Sequence, residues 1–144
     1  MDDAAENGHL EVVKWLHHNR REGCSELAMD VRAGNGHLDV LIFLHENRRE
    51  GCTSAALNFA AERGQLEVVE WLCTNRTEGQ PATALCVAAE HGHLAVVEYL
   101  YDAVRAKQRR SESCIRKAVR SAMEAGHPAV ADQLEQKLKR QRLE

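Results

Sequence analysis

The sequence predicts an all-α solenoid of about five stacked helix–turn–helix units, with no significant β-structure. Three observations carry that expectation. One phrase recurs four times, as Gly8-His9-Leu10-Glu11-Val12-Val13, Gly36-His37-Leu38-Asp39-Val40-Leu41, Gly64-Gln65-Leu66-Glu67-Val68-Val69 and Gly92-His93-Leu94-Ala95-Val96-Val97, its glycines 28 residues apart each time. A constant period of about 20 to 50 residues marks stacked repeats. The second half of each period is apolar over an arc too wide for a surface helix. Two helices of about ten residues and two tight connections then use up the period, leaving no room for a β-hairpin.

The units fall at about residues 1–22, 23–50, 51–78, 79–112 and 113–144 of one domain, 1–144. The chain enters the first unit partway through a helix, since Met1 is in phase with Met29, Leu57 and Leu85. The third unit shows the pattern most clearly. Its first helix runs near Thr53 to Arg63, with Thr53 or Ser54 as N-cap and Ala56, Leu57, Ala60 and Ala61 as its buried side. Gly64 ends it, where a left-handed residue is wanted. In Leu66 to Thr74, an advance of about 100° per residue leaves Glu67, Glu70 and Thr74 in one narrow stripe. Leu66, Val68, Val69, Trp71 and Leu72 cover the remaining roughly 220°, about twice what an amphipathic surface helix needs. The helix is therefore an inner layer, flanked on several sides. Trp15, Phe43, Trp71 and Tyr99 share one slot as aromatic plugs, and Asn19, Asn47 and Asn75 are expected to end the second helices in a left-handed conformation like that of Gly64.

The two ends depart from this pattern. The fifth unit, from Cys114 to His127 and beyond, is displaced by six residues, which lengthens the preceding helix through Asp102 to about Arg110. It places Gln133 in the plug slot and Ala131 in a valine slot, the polar drift expected of a solenoid's terminal cap. The first unit shows no such drift. Part of the arc formed by Val12, Val13, Trp15 and Leu16 should face solvent and promote self-association through the N-terminal repeat. Arg32 stands where the other units have Ala4, Ala60, Ala88 and Ala122, and is expected to reach out of the stack towards Asp2, Asp3 or Glu6.

Composition narrows the class. The chain has 144 residues, 44 % of them apolar and 4 % aromatic, an ordinary single-domain core. No run of 18 apolar residues is present, so no membrane partner is expected, and the acidic start Met1-Asp2-Asp3-Ala4-Ala5-Glu6 shows no signal peptide. A cytoplasmic location is expected, with the nucleus open. Charge is uneven: residues 1–104 carry 8 basic and 17 acidic side chains, and residues 105–144 carry 11 and 5. No Cys-x-x-Cys, His-Glu-x-x-His, phosphate loop or nucleophile elbow occurs, so neither a metal, a cofactor nor an enzymatic activity is expected. Cys24, Cys52 and Cys114 occupy one register position. Packed helices stand about 8–10 Å apart and a disulfide needs Cα atoms within roughly 7 Å, so Cys24 and Cys52 should be free thiols.

From Thr53 to Leu72 the chain resembles an ankyrin repeat: a small-residue first helix ending Ala60-Ala61-Glu62-Arg63-Gly64-Gln65, then Val68-Val69-Glu70-Trp71-Leu72. The resemblance covers almost the whole chain, in units about five residues shorter than the usual ankyrin length and without the hairpin finger. It implies that His9, His37 and His93 are turn histidines donating to neighbouring backbone. It also implies a concave surface lined by the first helices.

Helical phase places Asp2, Asp30, Asn58, Cys86 and Arg120 in one column of that surface, Asp3, Val31, Phe59, Val87 and Ser121 in a second, and Glu6, Gly34, Glu62, Glu90 and Glu124 in a third. Val31, Phe59 and Val87 either pack between neighbouring helices or contact a partner. The expected function is a non-enzymatic protein–protein interaction scaffold, binding a protein or peptide segment through Asp30, Asn58, Phe59, Glu62, Arg63, Cys86, Glu90, His91, Lys117 and Arg120. The alternative, which we disfavour, is an electrostatic binder of nucleic acid or an acidic surface through the basic stretches 105–110 and 137–142.

Overall fold

In the computed structural model the described residues form ten α-helices and no strand. The structure describes residues 2–19, 26–47, 53–77, 79–107 and 111–141. Cys24 and Cys52 lie outside them, and so does the side chain of Arg32, so the expectations placed on these residues concern groups beyond the description. The helices are α1 (Asp2–Glu6), α2 (Leu10–Asn19), α3 (Glu26–Asn35), α4 (Leu38–Asn47), α5 (Ala55–Glu62), α6 (Leu66–Asn75), α7 (Pro81–Glu90), α8 (Leu94–Lys107), α9 (Glu112–Glu124) and α10 (Pro128–Gln141). They pair in chain order, and each pair stacks on the next.

The turn inside each pair is built alike. Gly8, Gly36, Gly64, Gly92 and Gly126 all have φ between 71° and 83°, the left-handed region that a β-carbon disfavours. At Gly64 a side chain is excluded twice over, because a β-carbon would come within 2.6 Å of His93 Nδ1 from the following pair. His93 donates from Nε2 to the Glu62 carbonyl at 2.8 Å, so the repeated histidine ties one pair to the end of the preceding first helix. Gln65 occupies the same post over Gly36.

The asparagine expectation is corrected. Among the described residues no residue other than glycine has positive φ. Asn19, Asn47 and Asn75 instead stay helical and donate their side-chain amides to the carbonyls of Trp15, Phe43 and Trp71, at 2.8, 2.8 and 2.9 Å. The amide adds a second donor to a carbonyl of the last turn and so ties that turn down, and in α6 the Arg76 N–H continues the pattern to the Leu72 carbonyl at 2.9 Å. At the start of α5, Ser54 makes no capping bond. Thr53 Oγ1 accepts from the Ala55 N–H at 3.1 Å.

Ala56, Ala60, Ala61, Ala84, Ala88 and Ala89 are at most 1 % exposed, and their small side chains let α5, α7 and α9 approach closely. The second helices touch one another sparingly, because bulky plugs hold them apart. Phe43 meets the His17 ring edge-on at 5.5 Å, and Trp71 meets His45 at 5.0 Å. Close spacing on one side and wide spacing on the other curves the stack, with the first helices inside. At the last junction the plug is Gln133, which hydrogen-bonds Glu98, and the Lys137 ammonium lies 4.8 Å from the Tyr101 ring centroid.

Both ends are open. Val12 is 47 % exposed, whereas its register equivalents Val40, Val68, Val96 and Val130 are 2 % or less, and Trp15 is 57 % exposed. Met123 is 58 % exposed where Ala5, Ala33, Ala61 and Ala89 are fully buried. Among the described residues no helix is long and apolar enough to cross a membrane.

Candidate partner-binding face

The concave face is the outward surface of α3, α5, α7 and α9. Its apolar positions come from one helical register: Val31, Phe59 and Val87 are half-buried and lie outside the contiguous buried core. Phe59 closes over Gly34 of the preceding helix, where a β-carbon would stand 3.2 Å from Phe59 Cβ. Gly34 thus lets α5 approach α3 closely at Phe59, whose side chain stays half-buried.

The charged positions flank this ribbon. Glu62, Arg63, Glu90, His91, Lys117 and Arg120 are all exposed. Arg63 Nη1 donates to Asn35 Oδ1 at 2.5 Å, a bridge between neighbouring first helices that fixes the guanidinium at the rim. His91 donates from Nδ1 to the Val87 carbonyl at 3.0 Å and stacks on His93 with ring planes 5° apart. The ring is thereby held against the helix end rather than projecting freely.

Asp30 is not part of this exposed surface. It is 3 % exposed, and both of its carboxylate oxygens are engaged by Thr53: Oδ1 accepts from the backbone N–H at 2.8 Å and Oδ2 from the hydroxyl at 2.5 Å. The helical phase gave the right column, but Thr53, just before α5, covers this member of it. Asn58 occupies the same register one pair later. There the residue corresponding to Thr53 is Pro81, which has no N–H to give, and Asn58 Oδ1 is buried without a protein donor. Cys86, next in the column, is half-buried with its Sγ 4.0 Å from the Cys114 carbonyl. Burial pushes the Cys86 thiol above its ordinary pKa, with Lys117 pulling the other way. The column therefore changes from a tied carboxylate to half-covered neutral groups and then to the exposed guanidinium of Arg120.

A second concavity, of about 400 Å³, opens between α9 and α10 at the C-terminal end. Val119 and Leu138 form its apolar part, with Arg116, Arg120, Lys139 and Glu135 around them. Sequence reasoning missed it. The signal was the retention of Val119 and Met123 at positions that are core in other pairs, amid an otherwise polar helix. The contacts of His17 and His45 with the next plugs were also missed, although the two histidines stand 28 residues apart.

No curated protein matches the chain. The family model described as ankyrin repeats (3 copies) matches residues 1–111 and again 57–139. With these matches together spanning nearly the whole stack of helix pairs, the chain belongs to the ankyrin-repeat family.

Proposed function

We propose that this chain is a non-enzymatic scaffold that holds a protein or peptide segment on its concave first-helix face. Ankyrin repeats are generally protein–protein interaction modules, which supports the class. The observation that carries the choice of face is the half-open ribbon of Val31, Phe59 and Val87 on three successive first helices, edged by Glu62, Glu90, Lys117 and Arg120. An extended or helical segment with alternating apolar and charged residues fits such a ribbon, the apolar groups filling the gaps between helices and the charges setting its direction. Phe59, Glu62 and Glu90 are the anchors at the centre. The open N-terminal edge around Val12 and Trp15 is a second contact surface, used for self-association. A cytoplasmic location suits a reduced thiol such as that of Cys86.

The test is affinity capture with the wild-type chain, followed by measurement of binding of the captured protein to Phe59→Ala, Glu90→Lys and a control, Glu67→Lys, on the opposite side. Loss of about tenfold or more in affinity for the first two, with the control unchanged, supports the concave face. A control that loses binding while the concave variants keep it transfers the site to the second helices. Binding insensitive to both but abolished by moderate salt favours the basic C-terminal helices.

A further inference from the structure

The two ends of the stack match each other. Between interior pairs, the space beside Leu57 and Leu85, 3 % and 0 % exposed, is closed by the following helix pair. Val119 holds the same register in α9 but is only half-buried, and the groove beside it is open. At the other end, Val12 holds the register that Val40, Val68, Val96 and Val130 bury against the preceding pair. Among the described pairs, the Val12 edge of α2 and the groove beside Val119 are thus two uncovered faces of complementary register.

Charge runs the same way. The helix at the C-terminal groove carries Arg116, Lys117 and Arg120 against Glu112 and Glu124, Arg116 being paired with Glu112 at 2.8 Å, and the first helix reads Asp2-Asp3-Ala4-Ala5-Glu6. In register, the column Asp2, Asp30, Asn58, Cys86, Arg120 would continue, in one more pair, with another Asp2. We propose that the C-terminal groove binds the N-terminal helix pair of a second copy of this chain, so that copies continue the stack head to tail. This rests on the reading of the N-terminal pair as an associating edge and names the surface that receives it. Two N-terminal edges meeting each other would set acidic helix against acidic helix, whereas the head-to-tail contact sets acid against base. Such a contact is heterologous, so each copy keeps one unused end after pairing and further copies add as concentration rises, an effect that salt weakens.

The experiment uses two variants of the 144-residue chain. Val12→Glu with Trp15→Glu blocks the N-terminal edge, and Arg120→Glu with Met123→Glu blocks the C-terminal groove. All four side chains are exposed, and retained helicity by circular dichroism verifies folding; Arg120→Glu alone serves if the double change costs helicity. Sedimentation velocity at low salt is expected to show the wild type growing with concentration. Each variant alone stays monomeric to at least tenfold higher concentration, and an equimolar mixture forms a one-to-one dimer through the two intact ends. If the groove variant associates like the wild type while the edge variant is monomeric, the head-to-tail contact is wrong and the N-terminal edge pairs with itself. A wild type that is monomeric throughout overturns both readings.

Discussion

Gly64 and Gly126 close the first helices of their pairs with the same left-handed turn, at φ 71° and 83°, yet only one has a neighbour. His93 of the following pair packs against Gly64, whereas a β-carbon on Gly126 would meet nothing within 4 Å. The same contrast holds for Leu85 against Val119 and for Val40 against Val12. Interior and terminal pairs are written in nearly the same residues, but an interior residue is held by two neighbouring pairs and a terminal one by a single pair. In a stack where each unit touches only its neighbours, stability is a sum of unit and interface terms, and among the described pairs the first and last contribute to one interface each.

The largest effect is expected from matched truncations in the core. Leu85→Ala should cost about 2–5 kcal/mol, because it leaves a cavity closed on both sides. Val119→Ala should cost under about 1.5 kcal/mol, since its side chain is already half open to solvent. Urea unfolding measured for both variants checks the pair, and equal losses would mean that the C-terminal end is covered in solution. The glycines come next. Gly64→Ala combines left-handed strain with the His93 contact and should cost about 2–4 kcal/mol. Gly126→Ala carries only the strain, about 1–2 kcal/mol. Repeating Gly64→Ala in a His93→Ala background separates the two parts, for the extra cost should vanish there.

The smallest of the three contrasts lies along one column. Asp30→Ala removes both acceptors of Thr53 and should cost about 1–3 kcal/mol. Asn58→Ala loses no protein hydrogen bond at Oδ1 and should stay within about 0.5 kcal/mol. Installing Pro81→Thr is then expected to make Asn58 matter, because it supplies the donors that Thr53 gives to Asp30. Thermal unfolding of the single and double variants measures this coupling, and additive effects would show that the two positions do not interact.

Much of this was legible because repetition averages out local ambiguity. A lone Gly-His-Leu-Glu-Val-Val says little, but four in phase fix where first helices end and second helices begin. The columns of the concave face followed from helical phase alone. What escaped was whatever depended on a neighbouring unit. Asp30 has the spacing of an exposed residue, but Thr53, 23 residues on, hydrogen-bonds both of its carboxylate oxygens. Asn19, Asn47 and Asn75 stand where a left-handed cap would suit, but their side chains reach the carbonyls of the preceding turn at less cost than a positive φ.

The sequence by itself determined the all-α class, the helix pairs, the left-handed glycines and the family. These are set by local conformational preference and by a period of apolar residues, both properties of consecutive residues. The tertiary structure alone decided which members of a column are open, that a groove lined by Val119, Leu138 and charged side chains lies between α9 and α10, and that His17 and His45 meet the next plugs. Those outcomes depend on atoms brought together from residues about thirty positions apart, where a single change such as threonine to proline removes a donor that no local pattern records.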